Sequence, residues 1–132
     1  MDLNFNKNED QNKLLLSDLR KRFVKVKLGG GTAKIKKQHA KGKMTARERI
    51  DYLLDSKSKA LEIGAFAGDG MYDKHGGCPS AGVVVKIGYV SRRLCVIVAN
   101  DATVKAGAWF PITAKKNLSC LLYTSDAADE LR

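Results

Sequence analysis

The side chains with the greatest capacity for chemistry in this sequence are cations set close together. From Arg20 to Arg49 come twelve Lys or Arg residues opposed by one carboxylate, Glu48. Such a field attracts polyanions: nucleic acid, an acidic membrane face or a phosphorylated cofactor. The same residues would equally make a solvated helical surface that pairs with acidic groups of a partner. A second region of interest is Asn100 to Pro111, where small residues and Gly107 follow a strand-like run. Small side chains there leave room for a ligand to approach the backbone, and a tight ligand-free connection is the alternative.

Other chemistries find little support. His39 and His75 are isolated, and no HExxH spacing occurs, so no metal site is expected. There is no GxSxG element for a serine nucleophile. The run GGGTAKIKK lacks the GK[ST] ending of a phosphate loop and follows a helix instead of a strand. Cys78, Cys95 and Cys120 form no CxxC pair, and Cys95, mid-strand, reads as a buried small hydrophobe. The basic stretch contains one aromatic, Phe23, on its apolar face, so a nucleic-acid module would lack stacking platforms.

Several elements must position these groups. Leu15, Leu19, Phe23 and Val26 recur at helical spacing, predicting a helix over 14–28 that stops at Gly29-Gly30-Gly31. Thr32 is expected to cap a short helix over 33–41. Thr45 and Glu48 stand at capping-box spacing before Ala46, Ile50, Leu53 and Leu54, predicting a helix over 46–54 with Arg47 and Glu48 on its wetter side. Short extended pieces are expected over 60–63 and 65–67, then a Gly- and Asp-rich loop over 69–81. The runs 82–88 and 94–99 are β-branched and aliphatic, predicting two strands buried on both faces. Pro111 suits the first turn of a helix over 112–118. A sheet core with helices around it follows, of α/β or α+β class.

The whole chain has 132 residues, a formal net charge of +10 and 44% hydrophobic residues. That is one domain or a piece of one, with the composition of a soluble globular protein. No apolar run approaches the roughly 20 residues needed to span a bilayer, and MDLNFNKNEDQNK has no apolar signal core. A reducing, cytoplasmic setting is the expectation.

Three ordered segments together resemble one family. Gly29 to Asp55 (GGGTAKIKKQHAKGKMTARERIDYLLD), Leu61 to Asp73 (LEIGAFAGDGMYD) and Ala99 to Lys116 (ANDATVKAGAWFPITAKK) are similar to the carboxyltransferase (beta) subunit of biotin-dependent acyl-CoA carboxylases. The NDATVKAGAWFP wording is nearest the methylcrotonyl-CoA branch, with the propionyl-CoA type as alternative. The resemblance implies the N-terminal part of a crotonase-like (ClpP/crotonase) ββα superhelix of α/β class, preceded by helices. It implies an enzyme that moves a carboxyl group from carboxybiotin, carried by a biotin carboxylase or biotin-carrier subunit, to an acyl-CoA. A homo-oligomer is implied, with no metal and with neither nucleic acid nor membrane as partner. A small basic nucleic-acid-binding module is the competing reading.

By that resemblance, the helix with ARERI and the segment TVKAGA lie near the coenzyme A half of the site. CoA carries several phosphate charges, so Lys43, Arg47 and Lys105 become candidates for phosphate or adenine-side contacts. Gly107 and Ala108 would permit close backbone approach. No catalytic residue is expected, because the family's oxyanion-hole segments follow the helix that starts near Pro111. The expected division is a flexible N-terminus over 1–13, a partial carboxyltransferase domain over 14–118, and a non-native tail over 119–132. That tail's CLLYTSDAADE reads like a translated sequencing-library adapter. Because the resemblance places the oxyanion-hole segments and the biotin-receiving domain outside these residues, this chain alone is expected to be inactive.

Overall fold

A computed structural model describes residues 2–56 and 59–129, with side chains of the last helix described through Leu122. Among these residues, four α-helices and three strands follow in the order α1 (Leu3–Lys27), α2 (Thr32–Ala40), α3 (Ala46–Leu53), β1 (Leu61–Ile63), β2 (Val83–Val90), β3 (Arg93–Asn100) and α4 (Pro111–Asp129). The strands form one antiparallel sheet in the order β1-β2-β3, with Val83 opposite Asn100 and Val90 opposite Arg93. No helix of the described residues is long and apolar enough to cross a membrane.

The central strand owes its place to its composition. Val83, Val84 and Val85 are almost fully buried. Val84 packs with Ala46 and Ile50 of α3. Its neighbours turn by alternation to the opposite face, where α4 crosses β2. Double burial was expected of both long strands and holds only for this one. On β3, Leu94, Val96 and Val98 are 63%, 37% and 45% exposed. A run of aliphatic residues cannot itself tell a central strand from an edge strand, because both favour β-branched side chains.

The connections show more than the residue types predict. Ser91 and Arg92 form a two-residue hairpin turn with φ of 49° and 66°, and Asp55 receives both their N–H groups, at 2.7 and 2.8 Å. Residues 65–67, expected to be extended, are a turn. The stretch 69–81 is irregular as expected, ending in the 3₁₀ turn Pro79–Gly82. A second buried cluster closes beside it, joining Cys78, Val104 and Phe110, with Tyr72 stacked on Phe110 at 4.4 Å.

Helix α1 begins at Leu3, so the segment expected to be a flexible lead is helical. Its end meets the rest of the fold: Val26 is buried, Phe23 meets Phe66, and Arg22 bonds Asp69 at 2.6 Å. Helix α2 is capped by the backbone of Gly31 and starts at Thr32, without the side-chain cap expected from that residue. At Gly30 the chain runs so close to the Thr103 carbonyl that a Cβ would collide with it. Gly30 N–H donates instead to Thr103 Oγ1, at 2.9 Å. That contact ties the α1–α2 corner to the segment after β3.

Candidate functional site

A groove of about 740 Å³ lies between the α2–α3 connection and the segment that follows β3. Lys41, Lys43, Thr45 and Arg49 line one side, and Asn100, Asp101, Ala106 and Gly107 the other. The capping box at the head of α3 forms as the spacing predicts: Glu48 N–H donates to Thr45 Oγ1, and Glu48 Oε2 accepts from Thr45 N–H. That backbone hydrogen bond, with His39 at 2.9 Å, holds the Glu48 carboxyl below the ordinary range. His39 is thereby a structural partner of Glu48, not an isolated group.

The opposite wall is built from side chains that satisfy one another. Asn100 donates through Nδ2 to the Gly107 carbonyl at 2.7 Å and accepts from Trp109 Nε1 at 3.1 Å. Arg49 donates to the Asn100 carbonyl at 2.9 Å, bridging the two walls. Asp101 turns inward, where its Oδ1 accepts from the Thr103 N–H and hydroxyl at 2.9 and 2.6 Å. With Asp101 engaged and largely buried, Lys41, Lys43 and Arg49 set the sign of the groove. The bend itself runs left-handed through Lys105, Ala106 and Gly107, with φ of 46°, 52° and 86°, and glycine adopts that region at no steric cost.

Of the five residues singled out by sequence, the structure brings Lys43 and Gly107 together in this groove. Arg47 goes elsewhere. It was expected on the wetter side of α3, yet it turns inward, and its Nη2 donates to Glu62 of β1 at 2.8 Å in a pair whose side chains are 16% and 9% exposed. Its second partner is Ser80 Oγ, at 3.2 Å. The reason is the sheet: β1 pairs with β2 under α3 and brings Glu62 within reach, a contact that helical periodicity alone does not encode. Lys105 lies over the Phe110 ring, 4.3 Å from its centroid, and Ala108, exposed, directly follows the bend.

Sequence reasoning missed Arg49, Lys41 and Asn100. Arg49 stands four residues after Thr45, so it shares the face of α3 that carries the capping residue. That spacing was an available signal. Nothing local marks Asn100, whose partners lie across the bend. Cys95, expected to be buried, is half-buried on β3, with Sγ 3.5 Å from the Arg93 carbonyl. Cys78 is buried, and burial pushes its thiol upward, away from reactivity. No group of three potential metal ligands occurs among the described residues.

Residues 37–131, well over half of the chain, match the family described as the carboxyl transferase domain. The chain belongs to that family. The biotin-dependent 3-methylcrotonyl-coenzyme A carboxylase beta1 subunit of Mycobacterium tuberculosis is 44% identical over 109 residues, which cover 83% of this chain and 20% of that protein. Among solved structures, the beta subunit of Pseudomonas aeruginosa geranyl-CoA carboxylase superposes with a TM-score of 0.73 at 28% identity, over 89% of this chain and 22% of that one. Transcarboxylase 12S, solved as a hexamer with methylmalonyl-coenzyme A bound, gives 0.70 at 33% identity over 81% of this chain and 21% of that one. The chain therefore spans about a fifth of the length of the relatives it matches. The crotonase-like expectation holds, and neither the nucleic-acid module nor the propionyl-CoA type is favoured.

Proposed function

We propose that this chain is part of a carboxyltransferase subunit and that its groove seats the phosphate-bearing end of an acyl-CoA. The observation that carries this is the convergence of Lys41, Lys43 and Arg49 on one wall facing the left-handed bend at Gly107, within a chain of this family. Cations on one side and an accessible backbone on the other suit a flexible, multiply charged ligand. The whole subunit, in this reading, transfers a carboxyl group from carboxybiotin to a methylcrotonyl-CoA-like thioester. Carboxybiotin would supply the activated carboxyl group on a partner subunit, and no residue described above is assigned to it.

Lys43 and Gly107 stay as ligand-facing residues, now joined by Arg49. Lys105 and Ala108 are proposed to border the ligand on the outer shoulder of the bend. Arg47 is reassigned to holding the walls in place. A homo-oligomer, a biotin-carrying partner and a cytoplasmic setting belong to the same proposal, as does the reading of 119–132 as foreign sequence. Calorimetric titration with CoA and with dephospho-CoA tests it. Lys43→Ala and Arg49→Ala are expected each to weaken CoA binding by about tenfold, as loss of a charge-assisted contact does. Unchanged CoA affinity in both variants would remove the groove from consideration.

A further inference from the structure

One buried charge has no part in the reading above. Lys116, on α4, is 8% exposed, and its Nζ donates to three backbone carbonyls: Gly64 at 3.0 Å, Ser80 at 2.9 Å and Val83 at 2.7 Å. These use all three N–H bonds of an ammonium, and they come from the end of β1, the turn before β2 and the start of β2. Glu62 of β1, Arg47 of α3, Cys78 and Cys120 are the titratable groups around it.

The turn it grips is unusual. Ser80, Ala81 and Gly82 are consecutively left-handed, with φ of 53°, 55° and 69°. Two of the three carry a side chain, and such backbone persists only where its surroundings over-determine it. Here Ser80 Oγ also donates to the Ala65 carbonyl at 3.0 Å and accepts from Arg47. The carbonyl of Gly82 then accepts from the N–H of Asp101 at 2.9 Å, and Asp101 lines the groove.

We propose that Lys116 is the positioning residue of the groove: by gathering the carbonyls of Gly64, Ser80 and Val83 on one ammonium it locks the left-handed turn Ser80–Gly82, and through Gly82 it fixes Asp101 at the groove edge. Its consequence for ligand binding rests on the groove reading; its effect on the backbone does not. Burial brings the ammonium down to about 8, with Glu62 pulling the other way. In mild alkali it becomes an amine with two N–H groups, and one of the three carbonyls loses its donor.

The test follows amide hydrogen exchange of the full chain from pH 6.5 to 9.5, together with CoA affinity. In the unmodified chain the Asp101 amide is expected to lose protection by about tenfold beyond the intrinsic pH dependence as the pH passes 8, the size of one lost hydrogen bond. The Arg49 amide of α3 serves as the unaffected control. Lys116→Met is expected to show fast exchange at Asp101 with no step beyond the intrinsic pH dependence, and Lys116→Arg to keep protection with no step near pH 8, since guanidinium does not deprotonate there. An Asp101 amide equally protected on both sides of pH 8 in the unmodified chain overturns the proposal, whether or not the Met variant folds. If the exchange step is present while the unmodified chain does not bind CoA, the positioning role stands and the ligand reading fails.

Discussion

Two bends in this molecule share a backbone shape and almost a sequence. Ser80-Ala81-Gly82 and Lys105-Ala106-Gly107 each run through three consecutive left-handed residues and end on glycine. The first is buried, with Ser80 and Ala81 at 2% and 0% exposure, and it is held by Lys116 and Arg47. The second is largely exposed and is held by the Asn100 amide and its own turn hydrogen bonds. A left-handed L residue costs roughly 1–2 kcal/mol, so both bends need external support. Inside, where water cannot serve the freed carbonyls, that support is ionic; at the surface one neutral amide suffices.

The largest effect should come from breaking the inner bend's ion pair. Arg47→Ala leaves the Glu62 carboxylate buried and unpaired, and a loss of about 3–5 kcal/mol is expected in a urea unfolding series. Glu62→Gln together with Arg47→Met should recover much of it, because the cost lies in the orphaned charge and not in the missing attraction.

Next in size is a pH effect with a definite sign. The folded chain holds Lys116 at about 8, against 10.5 for a free lysine, so it sheds this proton before the unfolded chain does. From that group, stability therefore rises with pH between about 8 and 10.5, by on the order of 3 kcal/mol. Subtracting the denaturation curves of Lys116→Met from those of the unmodified chain should isolate this rise, and a difference that stays flat over the interval would contradict it. The unfolding equilibrium can gain while the turn locally loosens, because the dry site disfavours the charge even as three carbonyls use it.

The smallest effect belongs to the outer bend. Asn100→Ala removes the donor to Gly107 and the acceptor of Trp109, for an expected loss of about 1–2 kcal/mol. Trp109 is the one tryptophan in the sequence, so its emission reports the change directly. A loss as large as that of Arg47→Ala would erase the distinction between the two bends.

Much of the fold was legible from local pattern. The capping box at Thr45, the proline start of α4 and the aliphatic runs of β2 and β3 each declare an element, because the hydrogen bonds and side-chain periods that make them lie within a few residues. The groove was legible only in part. Lys43 and Gly107 stood out by charge and by backbone freedom, while Arg49 carried the quieter signal of its spacing from Thr45.

The linear order of residues thus determined most of the elements, the cationic stretch and the family. Tertiary structure alone decided that Arg47 turns to Glu62 fifteen residues away, that Lys116 reaches carbonyls up to 52 residues distant, and that β3 keeps one face uncovered. The physical reason is range. Periodicity and capping are settled by neighbours along the chain, whereas the burial of a charge depends on which distant carbonyls and carboxylates the sheet brings within 3 Å.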